Sequence, residues 1–410
     1  MPRRAAVILL AVAMAWITVA GLGVPAWADL TDVRSLEWWI QRWGLQDVWE
    51  ISQGRQVTVA VIDTGVEAAR SEFDGAVLPG IDLTDGNTGG RVDSDPKSHG
   101  TRIAMLIAAR GDLRSGMIGV APAANILPIT LGLAGRFPDA GGFGSAKAIH
   151  WAVDHGATVV NMSYAGPNAG NCPRPLQDAI WYALDHSAIL VGGAGNDGNG
   201  INQPEVPALC PGVIAVGAVD DQGRPWSDTE RQNYVDVAAP GVNMVSINKS
   251  GMPTQSNGTS DAAALVSGAV ALLRARFPDM PARQIVTRLL ATAKDAGPPG
   301  KDDQTGYGIV RPLNALTEDV PADAPNPVYE EVDRLRGVST SAPAPRASDG
   351  GSNLPLVLGI AGVTAVLAAL AAFLAVLAGR RRRRTPTAAP PYPPGFRGGP
   401  PPGWGRPRGP

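Results

Sequence analysis

In the stretch SNGTSDAAALVSGAVALL, residues 256–273, a polar, turn-prone opening runs into small and apolar residues, with Ser260 at the junction. Two readings of that serine compete. Its hydroxyl can cap a helix by accepting from a backbone N–H that a first turn leaves unpaired. Alternatively it is a nucleophile held at a helix's positive end, where a developing oxyanion is favoured and its own N–H can donate to that charge. The second reading needs a base, an orienting carboxylate and a second oxyanion donor from elsewhere in the chain.

Three stretches supply candidates. VTVAVIDTGV sets Asp63 directly after an apolar run. Its alternatives are a turn aspartate bonding its own backbone, and half of an aspartic-protease dyad, which with one Asp-Thr-Gly in the chain would require a dimer. SDPKSHGTRIAMLIAAR sets His99 at a helix start, where the helix's positive end is expected to keep the ring neutral near pH 7. The other three histidines, His150, His155 and His186, lie on or close helices, where the side chain more often meets carbonyls. AILVGGAGNDG leads into a glycine-rich loop holding Asn196, whose amide either faces a cleft as an oxyanion donor or supports a turn.

These residues need elements to hold them. Apolar runs predict strands over 57–62, 158–162, 188–191 and 213–219. Helical patterns fall at about 101–110, 145–155, 175–186, 260–277 and 281–293. The last-but-one has no polar face except Ser267, so it is expected inside the molecule. Buried strands alternating with helices predict an α/β domain of three layers around a mostly parallel sheet. In such sheets a site lies beyond the carboxyl ends of the strands, where Asp63 and Asn196 fall.

The ends of the chain speak of compartment. Residues 1–28 carry two arginines, an apolar stretch and a close of small residues, the plan of a signal peptide cleaved after Ala28; an uncleaved anchor is the alternative. Residues 354–379 carry no charge and are long enough to cross ~30 Å of hydrocarbon at ~1.5 Å per residue, which predicts a transmembrane helix. Residues 380–384 are all arginine and are expected on the cytoplasmic side, with a Pro/Gly-rich tail to residue 410. That position and a net charge of -2 make nucleic-acid binding the weaker reading of the arginines. Residues 318–353, rich in Pro, Ala and charge, read as a tether. The body then faces outward, where the only two cysteines, Cys172 and Cys210, are expected to pair, two buried free thiols being the alternative. No metal or cofactor is expected. Asp82, Asp85, Asp93 and Asp95 lack regular calcium-ligand spacing, and no lysine follows the glycines as a phosphate cradle requires. Residues 132–145 read as an edge of the substrate cleft.

Asp-Thr-Gly, His-Gly-Thr and Gly-Thr-Ser in this order resemble the subtilisin family of serine proteases, over about residues 57–316 and including TGYG at 305–308. The resemblance implies a subtilisin-like fold over 57–317 and a triad of Asp63, His99 and Ser260. It also implies that Asn196 and the Ser260 amide form the oxyanion hole, and that Ser163, Tyr164, Ala165 and Gly166 line the channel for a protein or peptide substrate. The tryptophan-rich segment before the first strand, the cysteines and the membrane plan are similar to mycosins, membrane-anchored subtilases of type VII secretion. This implies that residues 29–56 wrap the protease domain through Trp38, Trp39, Trp43 and Trp49, and that a secretion membrane complex is a partner. A mainly structural role in that complex is the alternative. Asp261, Ala264 and Met105 depart from the family's pattern, and Asp261 beside the nucleophile can oppose developing negative charge.

Overall fold

The computed structural model describes residues 33–338 apart from 85, 112–114, 133–141 and 169. These belong to the first of two units, Met1–Thr340 and Ser341–Pro410. The expected leader and the 354–379 span lie outside the described residues. Among the described residues no helix is long and apolar enough to cross a membrane.

Three short helices come first, α1 (Val33–Leu36), α2 (Trp38–Arg42) and α3 (Leu45–Ile51), then β1 (Thr58–Asp63), β2 (Ile81–Asp82), α4 (His99–Ala108) and β3 (Asn125–Thr130). There follow α5 (Phe143–Asp154), β4 (Val159–Met162), β5 (Gly166–Pro167), α6 (Arg174–Asp185), β6 (Ile189–Gly193), β7 (Glu205–Val206) and β8 (Val213–Val219). The last part holds β9 (Val237–Pro240), the antiparallel pair β10 (Met244–Ile247) and β11 (Pro253–Ser256), and α7 (Thr259–Arg276), α8 (Ala282–Ala291), α9 (Pro312–Thr317) and α10 (Pro327–Arg336).

Seven strands form one sheet in the order β2-β3-β1-β4-β6-β8-β9, with every neighbouring pair parallel. Because alternate residues of a strand face opposite sides, β1 feeds two cores. Val59 and Val61 pack with Ile103 and Leu106 of α4 and Ala263 and Val266 of α7. Ala60 and Ile62 pack with Ile149 of α5 and Ile180 of α6. The result is the three-layer α/β architecture read from the sequence. It also fixes an orientation: Asp63 is in step with Val59 and Val61, so it turns toward the layer that carries α4 and α7. Winding changes direction between β1, which is flanked by β3 on one side, and β4 on the other, and this opens a crevice at their carboxyl ends.

Three strands of this sheet, β2, β3 and β9, are not among those read from the sequence. β3 contains Pro128, which argues against an interior strand because it has no N–H to give. Here Ile126 bonds outward, donating to Ala76 and accepting from Leu78. Pro128, two residues on, turns its missing donor to that same outer side, where Gly80 donates to Gly89 instead of joining the ladder. β9 is the short edge strand and ends in Pro240.

Helices α1 to α3 lie on the α7 side of the molecule. Trp39 and Trp43 are buried, and the indole N–H groups of Trp38 and Trp49 donate to the carbonyls of Val242 (3.2 Å) and Val120 (2.9 Å). Glu37 is buried with them, accepting from the Ile118 N–H at 3.1 Å and pairing with Arg34 at 3.2 Å. Where the composition of 318–353 reads as tether, the structure has α10. Its Val328, Tyr329 and Val332 are buried, and Asp333 pairs with Arg283 of α8 at 2.8 Å. Three apolar residues at helical spacing suffice to dock a segment whose average composition is polar. Cys172 and Cys210 form a disulfide, Cα–Cα 5.0 Å, closing the segment from the end of β5 to the start of β8.

Candidate active site

Asp63 is fully buried at the end of β1, and the side chain of His99 is 30% exposed at the first residue of α4. The ring's Nδ1 lies 2.8 Å and 2.9 Å from the two carboxylate oxygens of Asp63. A carboxylate only accepts, so Nδ1 carries the proton and Nε2 is left as the basic nitrogen. The helix begins here because its free N–H groups are met from outside: His99 donates to Asp95, Gly100 to the Thr64 hydroxyl, and Thr101 to Asp93. Thr64 in turn donates to Asp93 at 2.8 Å. Both oxygens of Asp93 and one of Asp95 thus accept hydrogen bonds around the helix start, and those of Asp82 accept from Thr84 and Thr88; Asp85 lies outside the described residues.

The helix end is not what sets the proton affinity of His99. Burial does work to lower the ring's pKa, but the charge and hydrogen bond of Asp63 more than offset it, Asp261 adds to them, and Arg102 only partly opposes. The net direction is upward. A buried carboxylate in direct contact outweighs partial charges already occupied by Asp93 and Asp95.

Ser260 is the second residue of α7, whose N-cap is Gly258, and the first N–H of that helix, from Thr259, is met by the side chain of Asn196. Its hydroxyl therefore does not act as a cap. It donates to the carbonyl of Ser163 at 2.8 Å, while the Ser163 hydroxyl donates to the carbonyl of Ser260 at 2.9 Å. This reciprocal pair joins the segment just after β4 to the start of α7. Asn196 is exposed just after β6, and its Oδ1 accepts from the Thr259 N–H (2.8 Å) and hydroxyl (3.0 Å). The amide is thereby oriented: with oxygen turned to the helix, the NH2 end faces away from it and makes no hydrogen bond among the described residues. Of the expected channel residues, Ser163 and Gly166 are buried and Ala165 half-buried. Tyr164 turns its ring into the α5 side of the core, its hydroxyl donating to Ser145 at 2.8 Å. That segment meets the cleft with its main chain.

Asp261 is buried, and Arg102, from the next turn of the helix that starts at His99, lies 3.3 Å from its Oδ1. Burial raises the pKa of Asp261, against the charges of Arg102 and His99 and a hydrogen bond from Ser256. The departure beside Ser260 is therefore matched by a guanidinium on the facing helix. Sequence reading missed Arg102, Thr259 and Asp93 as parts of this site. Arg102 carried a signal, a charge among the apolar positions of a helix expected to be buried.

A sequence profile of the Subtilase family matches residues 54–308. Fervidolysin of Fervidobacterium pennivorans is 34% identical over 73% of this chain and 46% of its own length, so the chain spans about half of that relative. Mycosin-1 of Mycobacterium tuberculosis is 34% identical over 68% of this chain and 72% of that protein. A chain of the solved periplasmic assembly from the ESX-5 inner membrane complex superposes with a TM-score of 0.60 at 28% identity, covering 71% of this chain and 86% of that one. By sequence match and by fold, this chain belongs to the subtilase family of serine proteases and within it is related to the mycosins.

Proposed function

We propose that the chain is a membrane-anchored, extracytoplasmic endopeptidase that hydrolyses peptide bonds through an acyl-enzyme and works with a type VII secretion complex. The observation that carries the reading is the Nδ1 of His99 set against both oxygens of Asp63, which leaves Nε2 basic and raises its affinity for a proton. In this reading Ser260 turns from the Ser163 carbonyl, gives its proton to His99 and attacks the scissile carbonyl. Asp63 holds the tautomer and stabilises the imidazolium. The Asn196 NH2 and the Ser260 N–H bind the oxyanion at the positive end of α7. His99 then returns the proton to the leaving amine, and water repeats the sequence on the ester.

Labelling with a fluorophosphonate probe tests it. Wild type is expected to label, and Ser260→Ala and His99→Ala to lose the label. Wild-type cleavage by Ser260→Ala, in protein free of other proteases, would rule the mechanism out.

Anchorage by residues 354–379 and the secretion complex rest on the uncharged stretch in the sequence and on the ESX-5 neighbour. That neighbour also supports a second reading, in which the folded domain mainly stabilises the complex. Secretion equal in wild type and Ser260→Ala, but abolished by deletion of the protein, would favour it.

A further inference from the structure

Beneath the Asn196 loop sits a second set of carboxylates that the proposed hydrolysis does not use. The Tyr234 hydroxyl donates to the carbonyl of Ala194 (3.1 Å) and accepts from the N–H of Glu205 (3.2 Å), tying Glu205 to the residue two before Asn196. In the β5–β7 pair Pro167 stands opposite Glu205 and Gly166 opposite Val206, tying Glu205 equally to the end of the Ser163–Gly166 segment. Val206 is buried in the α6 side of the core, and strand alternation turns Glu205 the other way. A Cβ built on Gly195 would lie 2.8 Å from Glu205 Oε2 and 2.4 Å from Glu230 Cγ, so both acids rise against the residue that precedes Asn196.

Glu230 is 0% exposed; its Oε1 accepts from the Asp197 N–H at 3.1 Å, and its Oε2 has no hydrogen-bond partner among the described residues. Neither glutamate forms an ion pair with a lysine or arginine among the described residues. Burial, then the charges of Glu230 and Asp197, push the Glu205 carboxyl up to about 7. Burial raises Glu230 as well. A buried oxygen without a donor, beside a second carboxylate without a counter-ion, is a cost that a visiting cation would remove.

We propose that Glu205 and Glu230 form the floor of a pocket that takes the cationic side chain of a lysine or arginine on the substrate residue whose carbonyl is attacked. The inference rests on the hydrolytic reading for its frame. Ser260 bonds the main chain of Ser163, and Asn196 follows Ala194, so the Ser163–Gly166 segment and the Ala194–Asn196 loop flank a carbonyl that would lie between Ser260 and Asn196, and Glu205 is fastened to both. An ammonium or guanidinium there supplies counter-charge and the donors that Glu230 Oε2 lacks. An apolar side chain of equal length leaves both acids unpaired and is selected against.

The test uses the full chain in detergent and peptides identical except for lysine, norleucine or glutamate at that residue. The expected kcat/KM favours lysine over norleucine by about 10- to 100-fold. Glu205→Gln should cut that ratio about tenfold, and Glu205→Lys should favour glutamate. Equal rates on lysine and norleucine peptides in protein that labels at Ser260, or a ratio untouched by both Glu205→Gln and Glu230→Gln, would overturn the pocket and leave the hydrolysis standing. If Ser260 fails to label and no peptide is cut, hydrolysis fails by itself, and a fluorescence titration with p-aminobenzamidine decides the pocket. Binding weakened by Glu205→Gln supports it; absent or indifferent binding sinks it.

Discussion

A side-chain amide has two unlike ends, and only one can help an oxyanion. At Asn196 the choice is made by Thr259, whose N–H and hydroxyl both take the oxygen. In the proposed mechanism the donor is therefore in place before substrate arrives, which is where electrostatic catalysis gains most, since no reorganisation is left to do. Asn196→Ala should lower kcat by on the order of 100- to 1,000-fold with KM little changed, as measured by steady-state kinetics on any cleaved peptide. Loss confined to KM would mean that the amide binds substrate without favouring the transition state. Much at this scale was legible: Asp63 and His99 could be picked out from a strand end and a helix start, and they do meet. The pairing of Asp261 with Arg102 was not, because it joins two helices 159 residues apart, and nothing local couples those positions.

Elements were read best where one physical signal acted alone. β8 begins and ends where its apolar run does, and α7 is the apolar, interior helix its composition demands. β3 was hidden by Pro128, whose tolerance depends on what lies across the sheet edge. The apolar pattern of α4 was read only from about residue 101, although His99 was set at a helix start, because the first turn is held by Thr64, Asp93 and Asp95 and not by apolar packing. The helices before β1 pose a question of their own, since they bring Glu37 into the fold. Burial first raises its carboxyl to about 8, against the Ile118 N–H and Arg34, so the folded state holds a proton that the unfolded chain releases near 4.5. Its contribution to stability is whole below about pH 4.5 and is lost as pH rises through about 8. Thermal unfolding followed by circular dichroism should show Tm falling over that window. The fall should be shallower in Glu37→Gln, which keeps an acceptor for Ile118. An unchanged slope would place the proton elsewhere, for instance on Asp236, whose buried carboxyl rises to about 7.

At the scale of the whole molecule, the proposed function holds a protease body at the outside of a membrane by residues 354–379. In fractionated cells the full chain should sediment with membranes, and a version ending at residue 353 should not; equal sedimentation would remove residues 354–379 as the anchor. The body itself divides its work between two faces of one sheet: α4 and α7, with His99 and Ser260, lie on one, and α5 and α6 on the other. Asp63 belongs to the first face only by counting from Val59. One residue added to or removed from β1 would exchange the two cores' side chains and swing this carboxylate toward the helices that carry neither partner. The strand is therefore bound by parity: only changes of two residues return the acid to the imidazole.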